Sequence, residues 1–281
     1  HKRQVPAFTN YVKQFTDLPF LVELVPSAAG NGHLTSGHYL RQSDLQAGDD
    51  YGEWKPLVLD QKTNRLVSPA GTLGHKYAHD QHFNLELKDL DGKPIDPALS
   101  VLTADSAQVV VDFPTFSNEG NAVVSRHLPV KTVTFADGSS HQVATIFDLL
   151  MAQYGIKRVA DDVLAANDEN DATSAFTPAW QESRTGVKAS LVTQIAREFA
   201  QTAEKTGGKC MVIMGGGVNH WFNADMNYRA IINMLMLCGC VGVQGGGWAH
   251  YVGQEKLRPQ EGWLNITVAN DWEPGGARQQ Q

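Results

Sequence analysis

Residues 214–256 read MGGGVNHWFNADMNYRAIINMLMLCGCVGVQGGGWAHYVGQEK, with glycine triplets at 215–217 and 245–247 at the two ends of one apolar segment. Glycine permits positive φ and lets backbone amides come close to a phosphate group. An apolar run at 210–214 favours a strand before the first triplet, and residues 225–237 favour a helix after it. This order is typical of a doubly wound sheet that binds its ligand at the carboxyl ends of its strands. Two triplets flanking one helix suggest an elongated, phosphate-bearing ligand.

The second half of the chain, residues 141–281, has the stronger helical pattern and is predicted to be the α/β part that binds the ligand. Apolar side chains recur at every fourth position within residues 189–205, which predicts an amphipathic helix. Residues 225–237 are apolar on nearly all sides, so we expect this second helix to be buried. Arg229 lies within it and should need a phosphate or a carboxylate partner, such as Asp225 four positions earlier.

The first part, residues 1–140, lacks this periodicity and is predicted to be an irregular, β- and loop-rich excursion that follows an initial α/β element. Residues 17–24, DLPFLVEL, suit a buried strand. Asp137 and Gly138 stand between two short runs of strand-forming residues and predict a hairpin turn. The predicted fold class is therefore α/β, with a doubly wound, Rossmann-like sheet portion after a β-rich first half.

The overall composition restricts the classes of partner. The 281 residues include 23 Lys and Arg against 30 Asp and Glu, and the formal charge of −7 argues against a nucleic-acid surface. The sequence has no run of about 18 apolar residues, so we expect no segment of it to span a membrane by itself. Both ends of the sequence look cut, and we expect a portion of a longer protein.

Two sets of potential metal ligands do not fit a metal site. The three cysteines are Cys210, Cys238 and Cys240, and the C-x-C spacing of the last two is not that of zinc or thioredoxin-like sites. We therefore interpret them as small buried hydrophobic residues. Three histidines lie at i, i+4 and i+7 within residues 75–82, but this segment has no apolar stripe that would support a helix. No metal ligand is predicted in this chain.

The first glycine turn fails the tests for the common nucleotide motifs. A G-x-G-x-x-G fingerprint beginning at Gly215 requires glycine where the sequence has His220, and a P-loop requires Gly-Lys-Ser or Gly-Lys-Thr before the helix. NAD, FAD and ATP in their usual binding modes are thus disfavoured. A different phosphate-bearing ligand and a purely structural corner both stay compatible with the residues alone. Residues 248–256 are dense in aromatic and polar groups, which favours a binding loop.

The same segment carries a family resemblance. The block GGGVNHWFNADMNYRAIINMLMLCGCVGVQGGGWAHYVGQEKLRPQEGW at 215–263 is supported by NYVKQFTDLPFLV at 10–22, LPVK at 128–131 and FTPAW at 176–180. Together these runs closely resemble the catalytic alpha subunit of respiratory, membrane-bound nitrate reductases, which are molybdenum oxidoreductases of the dimethyl-sulfoxide-reductase type. The block at 215–263 is specific to nitrate reductases, whereas the helix near Ile195 is similar to one common across the wider molybdopterin family.

The resemblance implies a ligand with pyrophosphates and fused rings, the bis-molybdopterin guanine dinucleotide cofactor with one Mo. It also implies that His220 orients an anionic oxo substrate through a donor hydrogen bond. The cofactor-binding residues it implies form two patches, one made of Gly215, Gly216, Gly217, Asn219, His220 and Trp221, and the other of Gly246, Gly247, Trp248, Tyr251, Val252, Gly253, Gln254 and Glu255.

The resemblance further implies an assembly around this chain. The complete subunit would reduce nitrate to nitrite with electrons from quinol, and its [4Fe–4S] cluster and Mo would take their ligands from outside this sequence, because three cysteines in this pattern cannot hold a cluster. Its partners would be an iron–sulfur beta subunit and a quinol-oxidising membrane gamma subunit, with no nucleic acid, at the cytoplasmic face of the cell membrane as a peripheral component. This portion alone is predicted to be inactive.

Two alternatives to nitrate reduction stay open. The first is a related molybdenum enzyme with the same site plan, such as a nitrite oxidoreductase or a chlorate, perchlorate or selenate reductase. The second belongs to another class of protein, a noncatalytic α/β module that binds a nucleotide or a partner.

Overall fold

The computed structural model describes residues 6–71, 87–115, 122–160 and 162–250. The architecture is mixed α/β, and the chain divides into two compact units, His1–Gln201 and Thr202–Gln281. The division predicted from the sequence, with parts at 1–140 and 141–281, stays a prediction.

In the part of the first unit that the structure describes, helix α1 precedes seven strands. Its elements are α1 (Pro6–Phe15), β1 (Leu21–Pro26), β2 (Leu34–Tyr39), α2 (Gln42–Leu45), a 3₁₀ turn (Gly52–Trp54), β3 (Val58–Leu59), β4 (Leu66–Val67), β5 (Ala107–Pro114), β6 (Val123–Thr134), β7 (Ser140–Thr145), α3 (Ile146–Gln153) and α4 (Pro178–Thr185). Helix α5 (Ala189–Thr206) crosses into the second unit, which continues with β8 (Met211–Met214), α6 (Gly216–Asn219), α7 (Ala224–Leu237) and β9 (Gly247–His250).

Five strands of the first unit close into a barrel in the order β1-β2-β5-β6-β7. Strand β1 is antiparallel to both β2 and β7, and the β5–β6 and β6–β7 pairs are also antiparallel. The parallel pair β2–β5, with Leu34 opposite Val111, closes the ring. The contact between β2 and β5 is this one residue pair, whereas the other neighbouring strands of the ring pair over four or more residues.

The barrel core follows from the two-residue period of the strands. On β1, Val22 and Leu24 belong to one buried cluster, whereas Leu21 belongs to a second cluster on the opposite face of the strand. The first cluster contains Val22, Leu24, Val111, Phe113, Leu128, Val130, Ala144, Leu149 and Ala152. Leu149 and Ala152 come from α3, so this helix packs on the barrel through its apolar side.

A side-chain cap fixes the start of α3. The hydroxyl of Thr145, the last residue of β7, accepts a hydrogen bond from the backbone N–H of Asp148 at 3.0 Å. Asp148 is fully buried, and its carboxylate accepts hydrogen bonds from Ser100 Oγ at 2.8 Å and from Arg158 Nε at 3.1 Å. The buried carboxylate therefore joins the helix start to the segment at residue 100.

A buried arginine joins β6 to the segment that follows α3. Arg126 is 3% exposed and donates to the carbonyl oxygens of Ala152 at 3.2 Å and Leu164 at 2.6 Å, and to Ser174 Oγ at 2.9 Å. Burial lowers the pKa of its guanidinium group. The backbone acceptors satisfy the donors of this buried group, as a buried polar group requires.

Several local predictions are confirmed. The strand expected within residues 17–24 is β1, and the hairpin expected at Asp137 and Gly138 joins β6 to β7, with Gly138 at φ +85°. The helix expected at 189–205 is α5, and it ends at Thr206 before Gly207, whose φ of +66° suits a glycine after a helix.

The expectation that α7 is buried is wrong, since only Leu235 and Met236 of this helix are buried. The apolar stripe of α5 is also open to solvent, with Ile195 57% exposed. Arg229 is exposed, and no ion pair joins it to Asp225 in the described part of the chain. An apolar helix is buried only where another element covers it, and the periodicity of one segment does not supply that element.

Candidate functional site

The second unit contains a pair of parallel strands whose carboxyl ends lie at one edge. In the β8–β9 ladder, Met211 lies opposite Gly247, Val212 opposite Trp248, and Met214 opposite His250. Helices α6 and α7 lie between the two strands in sequence, which makes a β-α-β crossover. Because parallel strands end on the same side, the first glycine turn and His250, the last residue of β9, lie at the same edge.

The first glycine turn is open. Gly215 precedes α6 with φ −107° and ψ 176°, and neither Gly216 nor Gly217 has a positive φ. A Cβ atom added at any of the three positions would meet no other atom within 4 Å in the described part of the chain. Neither backbone conformation nor packing therefore requires glycine here. What the three glycines provide is an uncovered backbone that a bulky ligand group can approach.

The second glycine turn is closed by contacts within the fold. Gly245 and Gly247 have φ values of +84° and +88°, which favour glycine. A Cβ atom on Gly246 would lie 2.3 Å from the carbonyl oxygen of Gly208 and 2.7 Å from that of Cys240. The fold itself therefore explains all three glycines, and the assignment of Gly246 and Gly247 to a cofactor stays a prediction.

Three aromatic side chains form a cluster at the end of β9. Trp248 and His250 stand on the same face of the strand, with ring centroids 6.5 Å apart and planes within 14° of parallel. Tyr228 of α7 packs against both rings, 4.9 Å from Trp248 and 5.9 Å from His250. Its hydroxyl oxygen lies 3.2 Å from Nε2 of His250. We call Tyr228, Trp248 and His250 the aromatic cluster.

The remaining predicted residues of the first patch follow α6. His220 is exposed directly after this short helix, and Trp221 and Phe222 next to it are 73% and 99% exposed. The backbone of Asn219 belongs to α6. The predicted site residues Tyr251, Val252, Gly253, Gln254 and Glu255 lie outside the described residues, as do the histidines within 75–82.

Sequence reasoning missed Tyr228 because it treated its segment as a uniformly apolar helix. The side chain is half-buried, whereas residues 225–227 and 229–230 on either side of it are exposed. A half-buried tyrosine carries a hydroxyl that needs a partner, so a single tyrosine in a largely apolar helix was the available signal, although the sequence does not show which residue it contacts.

The cysteines behave as buried hydrophobic residues. None of the three is in a disulfide; Cys210 and Cys240 are buried and Cys238 is half-buried. Burial, followed by the nearby Cys238 and Cys210, raises the pKa of the Cys240 thiol to about 11, and burial raises that of Cys238 as well. A thiol with a raised pKa is a poor metal ligand, because the thiolate is the form that binds a metal.

Polar clusters in the first unit have structural explanations. Glu23 on β1 accepts from His38 of β2, with Nδ1 and Oε2 3.0 Å apart, and from His141 of β7, with Nδ1 and Oε1 2.6 Å apart. Asp112 on β5 accepts from Ser27 and Ser125, each at 2.7 Å. Both carboxylates join neighbouring barrel strands.

The described residues contain neither a cluster of metal ligands nor a helix that could span a membrane. Within the described ranges, no group of three or more histidine, cysteine, aspartate or glutamate side chains could hold a metal ion. Each helix in those same ranges is too short or too polar to span a membrane.

Comparison with known proteins identifies the chain's relatives. Residues 60–278 match the family model described as molybdopterin oxidoreductase. The chain is 46% identical over 272 residues to the nitrate reductase alpha chain of Bacillus subtilis (strain 168), covering 96% of this chain and 22% of that protein. It is 43% identical to the respiratory nitrate reductase 1 alpha chain of Escherichia coli (strain K12), covering 95% of this chain and 22% of that protein.

The chain is also similar to a subunit of a perchlorate reductase. The perchlorate reductase subunit alpha of Dechloromonas aromatica (strain RCB) is 33% identical over 254 residues, covering 87% of this chain and 21% of that protein. The chain thus spans about a fifth of the length of the curated relatives that it matches.

Proposed function

This chain belongs to the molybdopterin oxidoreductase family, and we propose that it is a portion of the catalytic alpha subunit of a nitrate reductase that reduces nitrate to nitrite with electrons from quinol. The observation that carries the proposal is the arrangement of β8 and β9. Their shared carboxyl edge brings together an open glycine turn and an aromatic cluster, which suits a ligand with both phosphates and planar rings.

The residues of this edge fit the proposed bis-molybdopterin guanine dinucleotide cofactor. The open backbone at Gly215, Gly216 and Gly217 leaves room for a phosphate group to reach main-chain N–H groups. Trp248 would stack on a planar ring, and Trp221 offers a second, exposed indole. In the proposed site these residues form one wall with Asn219 and His220, and Tyr251, Val252, Gly253, Gln254 and Glu255 would continue it. Gly246 and Gly247 lie at the amino end of β9, so their proposed contact with the cofactor rests on the resemblance alone.

When bound, the molybdenum cofactor supplies the electron transfer to an oxoanion. The chain's own contribution is to bind the cofactor and to orient the substrate. His220 is exposed beside the first glycine turn, where an imidazole N–H can donate a hydrogen bond to a nitrate oxygen. A donor in this position would hold the anion without adding a metal ligand.

The complete subunit would supply the parts that this sequence lacks. In the proposal, the Mo ligand and the cysteines of a [4Fe–4S] cluster belong to other segments. An iron–sulfur beta subunit and a quinol-oxidising gamma subunit would deliver electrons at the cytoplasmic face of the membrane. The crossover of β8, α7 and β9 would belong to a larger doubly wound sheet, because parallel strands are normally covered on both faces and Ile213 of β8 is 77% exposed.

A second candidate function is perchlorate reduction. It is favoured by the similarity to a perchlorate reductase subunit alpha, although the identity of 33% is lower than the 46% to a nitrate reductase alpha chain. Both oxoanions carry one negative charge and would meet the same donor group. The two functions differ in which anion gives the higher kcat/KM.

The test is to purify the complete subunit with its natural flanking segments and to measure bound Mo, guanine nucleotide and the kcat/KM for both anions with a reduced dye. We expect one Mo, two guanine nucleotides and a preference for nitrate. A loaded enzyme that prefers perchlorate would establish the second candidate, and a subunit that contains no Mo would refute both. The 281-residue chain alone should contain little or no Mo and reduce neither anion.

A further inference from the structure

Tyr228 contacts β9 in two chemically different ways. Its ring packs on Trp248, with centroids 4.9 Å apart and planes inclined by 33°. Its hydroxyl oxygen lies 3.2 Å from Nε2 of His250, within hydrogen-bonding distance. One side chain of α7 therefore contacts two alternate residues of the neighbouring strand.

His250 lies at the carboxyl edge of the β8–β9 pair, where the first glycine turn begins. It is the last residue of β9 and lies opposite Met214, the last residue of β8, directly before Gly215. His250 and the open glycine turn therefore lie at the same edge of the strand pair. Ligands of open α/β sheets bind at such strand ends, which makes the orientation of this ring relevant to a ligand.

We propose that Tyr228 is a positioning residue, whose hydroxyl fixes the imidazole of His250 at the carboxyl edge of β9 and whose ring supports Trp248 for the phosphate-bearing, ring-containing cofactor. The inference rests on the proposed function, because it assigns His250 and Tyr228 to the same site. Tyr228 belongs to neither patch inferred from the sequence, whereas His250 lies within residues 248–256, which the sequence favours as a binding loop.

The hydrogen bond acts on the ring in two ways. A phenol hydroxyl can donate to Nε2 or accept from it, and either arrangement restricts rotation of the imidazole. The bond also determines which nitrogen carries the proton in the neutral ring, because a donating hydroxyl leaves the proton on Nδ1. Loss of the hydroxyl would change both the orientation and the proton distribution of His250.

A purely structural role for Tyr228 gives a different expectation. If only the ring matters, phenylalanine should replace tyrosine without effect, since Tyr228→Phe keeps the packing against Trp248 and removes only the hydroxyl. If the hydroxyl acts through His250, its loss should affect function only while His250 is present. A double-mutant cycle separates the two cases.

The experiment uses the complete enzyme with the variants Tyr228→Phe, His250→Gln and the double variant. Tyr154→Phe is the matched control, because its hydroxyl lies on an exposed side chain of the first unit. For each protein we would measure Mo and guanine nucleotide content, and kcat and KM for nitrate across pH. Thermal unfolding provides the comparison for stability.

We expect Tyr228→Phe to lower kcat/KM about three- to tenfold, the effect of one lost orienting hydrogen bond. Its thermal unfolding midpoint should stay close to that of the wild type, because the ring packing on Trp248 is kept. In the His250→Gln background the same substitution should change kcat/KM by less than about twofold. Tyr154→Phe should match the wild type in every measurement.

Three outcomes would overturn the inference. An unchanged kcat/KM in Tyr228→Phe would show that the hydroxyl has no role, while a loaded, active wild type would leave the proposed function standing. An equal loss in both His250 backgrounds would show that Tyr228 does not act through His250. A wild-type enzyme without Mo or nucleotide would refute the proposed function and this inference with it.

Discussion

Met214 and His250 lie opposite each other as the last residues of the parallel strands β8 and β9. This pairing joins two segments that are more than thirty positions apart in the sequence, so that the open turn at Gly215 and the aromatic cluster share one edge. Each motif alone is compatible with a structural corner. Their position at the carboxyl ends of adjacent parallel strands favours a ligand site.

An alanine substitution should lower the free energy of unfolding at the second glycine turn and leave it almost unchanged at the first. Gly246→Ala places a Cβ atom 2.3 Å from the carbonyl oxygen of Gly208, a backbone atom that cannot move freely. We expect a loss of about 1–3 kcal/mol in the free energy of unfolding, as for other overpacked sites. Gly216→Ala meets nothing within 4 Å and should change this free energy by no more than about 0.5 kcal/mol.

Urea denaturation of both variants beside the wild type measures this difference. Equal stability of Gly246→Ala and the wild type would mean that the second turn does not pack as described against Gly208 and Cys240.

Asp148 should be essential for the stability of the first unit. Asp148→Asn keeps the shape of the side chain but removes the charge that pairs with Arg158, whose Nη2 lies 2.5 Å from Oδ1. Because the carboxylate is fully buried and Arg158 is largely buried, the unpaired arginine should destabilise the protein by about 3 kcal/mol or more.

The matched control for Asp148 is Asp91→Asn, since Asp91 and its partner Lys93 are both largely exposed and their ion pair should contribute little. Thermal and urea unfolding should separate the two variants clearly. Similar stabilities would contradict the buried ion pair.

Asp112 should make the barrel sensitive to acid. Burial alone would raise the pKa of this carboxyl, but hydrogen bonds from Ser125, Ser27, His33 and Asn31 together outweigh burial and lower it. A lowered folded pKa means that the stabilisation is complete above the unfolded value of about 3.9 and is lost as the pH falls below it.

Urea midpoints measured between about pH 6 and pH 3 test the role of Asp112, because the stabilisation is lost only in the acid part of this range. The wild type should lose stability steeply below about pH 4, and Asp112→Asn should start lower and fall less steeply because it has no carboxylate to protonate. Parallel curves for the two proteins would show that Asp112 does not provide this acid sensitivity.

Cys240 should react slowly with alkylating reagents at neutral pH. Its side chain is fully buried, and burial with the two neighbouring thiols raises its pKa to about 11, so almost no thiolate is present near pH 7. Timed iodoacetamide labelling followed by mass spectrometry should modify it only when the protein is unfolded. Rapid labelling of the folded protein would contradict the buried, structural interpretation of the C-x-C motif.

Local pattern predicted the elements around the site well. Residues 210–214 and 225–237 were expected as strand and helix, and the structure has β8 at Met211–Met214 and α7 at Ala224–Leu237. Both segments carry their own signals, a short apolar run bounded by glycines and a longer apolar run that begins after a polar loop.

The barrel was not predicted because its closure depends on distant pairs. Leu34 meets Val111, and β1 meets β7, across more than seventy and one hundred positions of sequence. Such pairings are specified by the joint packing of all five strands, and no single window of sequence contains them. Arg126 was missed for the same reason, since its acceptors come from three separate segments.

The site was predicted only in part. The glycine motifs and Trp248 were proposed as site residues from the sequence. Tyr228 was not, because its contacts with Trp248 and His250 join a helix to a strand and the sequence does not show them. The sequence also does not show that one glycine triplet is packed against other backbone atoms and the other is open. Only the positions of Gly208 and Cys240 show that Gly246 is fixed by packing while Gly216 is open.

The central claim is that the open turn at Gly215, Gly216 and Gly217 receives the molybdenum cofactor, and the most direct measurement is the Mo and guanine nucleotide content of the complete enzyme carrying Gly216→Val. The control is Gln201→Val, which adds the same side chain to an exposed position of α5. The account predicts that Gly216→Val loses most of its cofactor while it stays folded, and that Gln201→Val stays fully loaded. A folded Gly216→Val enzyme with wild-type cofactor content would contradict the claim.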